Sequence, residues 1–157
     1  MYMNPGLISI TWDQLRHVMF DKVSMPFGAV IALLKRCANV IECTLCFDHK
    51  PLPETTSNLV LRHLQSLCLI FDGQADRFLG LLVLPSLRTL KLDSTKEWLC
   101  WSKGAIPQLI QRSGCHIEIL HSSVKIHADD IASVLREIQL FLNYPFPPPL
   151  FQIQLWK

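Results

Sequence analysis

The stretch Leu84-Pro85-Ser86-Leu87-Arg88-Thr89-Leu90-Lys91-Leu92 decides the fold, because its apolar spacing recurs along the chain. The spacing is an apolar residue, two variable residues and then Leu-x-x-Leu-x-Leu, here called the repeat motif. Its five copies place their four key positions at Trp12, Leu15, Val18 and Phe20; Cys37, Val40, Cys43 and Leu45; Leu61, Leu64, Leu67 and Leu69; Leu84, Leu87, Leu90 and Leu92; and Gly114, Ile117, Leu120 and Ser122. Eighteen of the twenty positions are apolar, and successive copies lie 25, 24, 23 and 30 residues apart. A period in this range predicts stacked repeats that bury their apolar edges against their neighbours.

Each copy alternates apolar and polar residues in its second half, which predicts a strand. Leu90 and Leu92 then point to one side of the sheet, and Thr89 and Lys91 point to the other. Helical periodicity follows at 26–37, 74–82 and 107–113, with Pro26 as a first helical residue and Gly114 as a C-cap, whereas 46–61 is expected to be mainly a loop. Strands and helices joined by right-handed crossovers predict an α/β solenoid, with parallel strands on the concave wall and helices on the convex wall.

The C-terminal part is predicted to close the array. Residues 129–142 have the spacing of an amphipathic helix, which Asp129 or Asp130 can cap. The Pro-rich stretch 145–149 is interpreted as a rigid connection, with a polyproline ligand as the alternative. Residues 150–155 copy part of the motif and could form a terminal strand. Residues 1–157 are therefore predicted to form a single domain.

Composition excludes several classes of protein. Half of the residues are hydrophobic and 18% are charged, which argues against disorder. The formal net charge is only +2 and the basic residues are scattered, so neither nucleic acid nor an anionic membrane is an expected partner. The apolar runs are too short to span a bilayer, and no signal peptide is recognised. We therefore expect a cytoplasmic or nuclear protein whose six cysteines are reduced thiols.

Three groups of residues invite a catalytic or metal interpretation, and simpler ones are preferred. Cys43 and Cys46 have the spacing of a metal or redox pair, but residues three apart in a strand face opposite sides. The adjacent acids at 129–130 are explained by helix capping. The third group, which would serve a metal-dependent hydrolase, contains Cys115, His116, His121 and His127. No catalytic residue, metal ligand or cofactor is predicted, and the chain is not expected to be an enzyme.

Stacked repeats usually act by presenting a surface, so a protein-protein interaction module is the expected function. The outward strand positions are the candidate protein-binding residues: His17, Met19, Glu42, Thr44, Ser66, Cys68, Thr89, Lys91, Ile119 and His121. The expected partner is a protein or peptide held along the concave wall, and only a few of these residues are expected to dominate binding.

The motif and its period resemble the leucine-rich repeat. Four stretches further resemble the repeats of fungal F-box proteins: Ile10-Thr11-Trp12-Asp13-Gln14-Leu15, Leu34-Lys35-Arg36-Cys37-Ala38-Asn39-Val40, Leu84-Pro85-Ser86-Leu87-Arg88-Thr89-Leu90 and Leu109-Ile110-Gln111-Arg112-Ser113-Gly114-Cys115. This resemblance covers about residues 8–122 and implies the substrate-recognition part of a ubiquitin-ligase adaptor.

The chain departs from that family in two respects. The short polar residue expected three places after each motif is Asp48 or Asp72 in two copies but Val23 or Thr95 in others, so the expected side-chain ladder is incomplete. The F-box that should precede the repeats is not recognised, and Leu52-Pro53-Glu54 only echoes its start. The adaptor role therefore requires an F-box beyond this sequence. The alternative is a truncated or decayed repeat protein without independent function.

Overall fold

Six parallel strands form the main sheet, and every strand pairs with that of the next repeat. The structure is a computed structural model that describes residues 11–47, 57–71, 76–94, 102–123, 126–142 and 152–155. In spatial order, the strands are β1 (His17–Met25), β2 (Glu42–Phe47), β4 (Ser66–Phe71), β6 (Thr89–Ser94), β7 (Ile119–Ser122) and β8 (Gln152–Leu155). A second parallel sheet pairs β3 (Leu59–Val60) with β5 (Leu82–Val83).

Helices alternate with the strands and supply the remainder of the core. They are α1 (Phe27–Arg36), α2 (Asp76–Leu81), α3 (Ala105–Ser113) and α4 (Ala128–Leu142), and a 3₁₀ turn spans Trp12–Gln14. The α/β class is thus confirmed, as a largely parallel sheet with helices. None of the helices in the described ranges combines the length and apolar character needed to cross a bilayer.

The repeat motif forms the buried face of the main sheet. Leu67 and Leu90 lie opposite each other in register and are 1% and 0% exposed, which confirms their predicted burial. All but four of the twenty motif positions are buried. Three of those four, Trp12, Leu15 and Phe20, still pack against the core, and only Gly114 is exposed. The motif therefore encodes an apolar wall that continues from strand to strand.

Apolar residues of the helices cover this wall from one side. In α1, for example, Val30 and Leu34 are 1% exposed, and both belong to the same core cluster as the motif leucines. Phe27 of α1 meets Phe78 of α2 edge-to-face, with ring centroids 5.0 Å apart. Aromatic pairs favour this geometry because the edge of one ring is positive and the face of the other is negative. The contact joins two successive helices of the array.

Several helix boundaries differ from the sequence prediction. Pro26 precedes α1 as its N-cap residue, with an extended ψ of 142°, so it is not the first helical residue. Helix α2 ends at Leu81, because the next two residues hydrogen-bond to β3 as strand β5 and cannot continue the helix. The prediction for Gly114 is confirmed: with φ of 61° it ends α3 in the left-handed region, which glycine adopts readily.

Polar bonds in the turns before the strands link one copy to the next. The carbonyls of Arg16, Ile41, Gln65 and Arg88 each accept two successive amide hydrogens from the following repeat. Equivalent side chains add further bonds: Asn39 Nδ2 donates to the Asp13 carbonyl at 2.8 Å, and Ser86 Oγ donates to the Arg62 carbonyl at 2.7 Å. The ladder expected after each motif is not tested at residues 48, 72 and 95, which lie outside the described ranges, and Val23 is exposed.

The acids expected to cap α4 have other roles. Asp129 and Asp130 lie within its first turn, which begins at Ala128. The Asp130 carboxylate is 2% exposed and accepts the amide hydrogen of Gly104, the N-cap residue of α3. Asp129 forms an ion pair with Lys103, and this contact lowers the pKa of Asp129 and raises that of Lys103. Both acids therefore connect α4 to the start of α3.

Candidate functional site

One face of the main sheet is not covered by any element in the described part of the chain. The motif residues point from the other face into the core, so the intervening residues of each strand point away from the helices. We call this second surface the open face. It contains all ten of the predicted binding residues: His17, Met19, Glu42, Thr44, Ser66, Cys68, Thr89, Lys91, Ile119 and His121.

Strand register arranges these ten residues in two straight rows. The first row is His17, Glu42, Ser66, Thr89 and Ile119, and the second row is Met19, Thr44, Cys68, Lys91 and His121. The register continues to β8 at Gln152 and Gln154. Neighbouring positions within a row are separated by the strand spacing of about 4.8 Å. Residues about 25 positions apart in the chain are thus placed side by side.

Exposure varies along the rows. Met19 on the edge strand β1 is 71% exposed, and Lys91 on β6 is also exposed. Ser66, which the alternation pattern predicts to be exposed, is half-buried, as are Cys68 and Thr89. Short side chains on central strands are partly shielded by neighbours on both sides, which alternation alone does not reveal. The middle of the open face therefore presents short, mostly uncharged side chains.

Further charged residues border the two rows and were missed by the sequence prediction. Asp93 lies two residues beyond Lys91 on β6, and its Oδ1 is 3.8 Å from Nε2 of His121. Arg88 and Glu118 precede β6 and β7, with 3.0 Å between Nη1 and Oε1. The sequence prediction included outward positions only up to the last motif leucine of each strand. In β6 the same alternation continues to Asp93, which was therefore not included.

At the β1 end, the open face carries a contact between an imidazole and a carboxylate. Nδ1 of His17 lies 3.1 Å from Oε2 of Glu42, the residue opposite it on β2. Both side chains are largely exposed, so water competes with this hydrogen bond. This pair and the ones involving Asp93 and Glu118 join adjacent repeats.

Three of the thiol groups in the described ranges are not suited to nucleophilic chemistry. Burial raises the pKa of the Cys43 thiol to about 12, and it raises that of Cys115 to about 11. For Cys68, burial and the nearby Asp93 carboxylate raise the pKa, although Lys91 and a hydrogen bond with Thr44 act in the opposite direction. A thiol needs its thiolate form to act as a nucleophile or metal ligand. These three cysteines are therefore held in the neutral form at neutral pH.

The Cys and His residues that invite a metal interpretation are not brought together in the described ranges either. Cys43 is buried beneath the sheet, whereas Cys46 is half-buried on the open face, so the two sulfurs point to opposite sides. Cys115 is buried, His121 lies on the open face, and His127 is exposed just before α4. Within the described ranges, no three His, Cys, Asp or Glu residues form a group suited to a metal ion.

In comparisons with known proteins, no family model, curated protein or solved structure matches this chain. The open face is therefore the feature of the chain that bears on its function.

Proposed function

We propose that this chain is a non-catalytic protein-binding module whose open face is the recognition surface. The observation that carries the proposal is the pair of in-register rows, which five successive strands present on a face without a described covering element. An uncovered sheet face with mixed side chains suits an extended protein contact. Protein interfaces combine a few apolar anchors with surrounding polar groups, and the rows contain both types.

We further propose that the chain folds as a leucine-rich-repeat solenoid, with the open face on its concave wall. Three features support it: each motif copy contributes one strand, the strands lie in sequence order, and equivalent carbonyls bond successive copies. In such arrays each repeat is stabilised mainly by its neighbours, and the strand wall provides an extended binding surface.

The resemblance to fungal F-box proteins suggests a more specific role, recognition of a substrate protein for a ubiquitin ligase. That role also needs an F-box, which is expected to open with Leu-Pro-x-Glu. The encoding locus tests this part of the proposal. An in-frame F-box segment upstream of Met1 supports an adaptor, whereas a clean start site without one leaves a bare repeat module.

The binding role is tested by affinity capture with the whole chain and mass spectrometry of the captured proteins. The test variant combines Glu42→Ala, Ser66→Ala, Thr89→Ala and Lys91→Ala on the open face. The control variant combines Lys35→Ala, Arg77→Ala, Gln108→Ala and Gln111→Ala, all exposed residues of helices. We expect the partners to be lost only with the test variant, while both variants keep a cooperative melt. Full capture by the test variant would exclude the open face as the site.

A further inference from the structure

Three acids on and beside the open face are already engaged within the molecule. Glu42, Asp93 and Glu118 each lie within ion-pair distance of a basic or imidazole group from an adjacent repeat. A partner that approached these acids with its own cations would have to compete with contacts that exist before binding. These three acids are therefore less available to a partner's cations than an unpaired group would be.

Lys91, in contrast to these acids, has no ion-pair partner among the described residues. It is exposed on β6, and its ammonium forms no ion pair or hydrogen bond with the described residues. Asp93 is nearby on the same side of the strand, yet its carboxylate lies against His121 and not within ion-pair distance of Lys91. An ammonium group has three hydrogens to donate and no acceptor. Because Lys91 is exposed, these donors are accessible to a partner.

Two hydroxyl groups accompany this ammonium. Ser66 and Thr89 are register partners on β4 and β6, and Thr89 is two residues from Lys91 on the same face. Neither side chain hydrogen-bonds to another residue in the described part of the molecule. One cation and two hydroxyl donors thus lie close together in the two rows, without an acceptor among the described residues. Oxyanions bind such sets well, since hydrogen bonds between a cation and an anion are the strong ones.

We propose that the partner of the open face is a polypeptide that places an Asp or Glu carboxylate against Lys91, where it also accepts hydrogen bonds from Ser66 and Thr89. This inference rests on the proposed function, because it presumes a polypeptide on this face. The position of Lys91 favours selectivity for a carboxylate. Lys91 lies between Cys68 and His121 within its row, away from the edge of the sheet, so a bound partner would cover it. A charge that the partner covers is screened less by solvent than one at the rim of an interface.

A peptide-display selection on the purified chain tests the inference. The library holds random decapeptides with a fixed central Glu, Gln, Lys or phosphoserine. We expect Glu-centred peptides to bind about tenfold more tightly than their Gln counterparts, equivalent to about 1.4 kcal/mol. Lys91→Glu should reverse the preference towards Lys. Lys35→Glu makes the same change in net charge on α1, behind the sheet, and should leave the preference intact.

Two further variants complete the design. Ser66→Ala with Thr89→Ala should weaken Glu-centred peptides more than Gln-centred ones, because the hydroxyl donors contact the carboxylate. Met19→Ala with Glu42→Ala reports whether the selected peptides occupy the open face, because both residues are exposed on it. Their binding should fall in this variant.

The outcomes separate the two proposals. Open-face binders with equal affinity for Glu and Gln, or a Glu preference that survives Lys91→Glu, would overturn the carboxylate inference and leave the proposed function standing. Tighter binding of phosphoserine than of Glu would also overturn it, in favour of a phosphorylated partner. If no selected peptide is sensitive to open-face substitutions, both proposals fail.

Discussion

Both carboxylate oxygens of Asp130 lie 2.9 Å from the backbone nitrogen of Gly104, 26 residues earlier in the chain. Helix α4 thus supplies the acceptor for an amide at the start of α3. Asp130 is 2% exposed, so water does not readily replace this contact. A negative charge at the N-terminus of a helix is also favourable for the helix dipole.

We predict that Asp130→Ala lowers the free energy of unfolding by about 1–3 kcal/mol, because the partly buried amide of Gly104 loses its acceptor. Chemical denaturation of the purified variant measures the change. Asp129→Ala is the matched control, because Asp129 is exposed and its contact with Lys103 is open to solvent. A loss of stability at Asp129 equal to that at Asp130 would contradict this account of the helix junction.

A second prediction tests strand register with two adjacent residues. Leu90→Ala should reduce stability by about 2–5 kcal/mol, because Leu90 is fully buried and its truncation leaves a cavity. Lys91→Ala should change stability by no more than about 0.5 kcal/mol, as is usual for exposed positions. Urea titrations of the two variants compare them directly. Equal losses would show that the two side chains do not face opposite sides of the sheet.

A third prediction contrasts two glycines that have room for a methyl group. Gly114→Ala should destabilise the protein by about 1–2 kcal/mol, because its φ of 61° is a left-handed conformation that is unfavourable for L-residues. Gly80→Ala, within α2, should stabilise it by about 0.4–1 kcal/mol, since alanine restricts the unfolded chain and favours a helix. The two melting temperatures should move in opposite directions from that of the parent chain. Shifts of the same sign would contradict the role of Gly114.

A fourth prediction concerns thiol reactivity. Iodoacetamide at pH 8 should leave Cys43 and Cys115 largely unmodified in the native chain, because burial limits access and raises both pKa values well above that pH. The half-buried Cys46 on the open face should react faster than Cys43. Peptide mass spectrometry after timed quenching gives the rates, and a denatured sample provides the upper limit. Native modification of Cys43 at the denatured rate would mean that β2 does not bury it.

Local patterns in the sequence predicted the strands and the buried wall well. Alternation places Leu90 and Lys91 on opposite sides from only a few residues, and the repeat period then aligns Leu90 with Leu67. The α/β class and the side-by-side rows of the open face follow from the same two signals. Whether these rows bind a partner remains a prediction.

Contacts between distant residues could not be predicted in this way. A local pattern cannot show whether Asp130 caps its own helix or accepts the amide hydrogen of Gly104, because the answer depends on how α3 and α4 pack. Leu82 of the short strand β5 was likewise assigned to a helix, since an apolar residue suits either structure until β3 is available as a partner. The motif also does not predict the register shift in β1. Phe20 pairs with Leu45, but the next residue of β2, Cys46, pairs with Ser24.

That shift has a consequence for self-association. Strand β1 ends the main sheet among the described strands, and an unpaired strand edge can act as a template for a second chain. The three residues Asp21, Lys22 and Val23 interrupt its regular pairing, and two of them carry exposed charges. An incoming strand would meet an uneven row of backbone groups and would have to bury Asp21 or Lys22. The irregularity therefore disfavours edge-to-edge polymerisation of these sheets into fibrils.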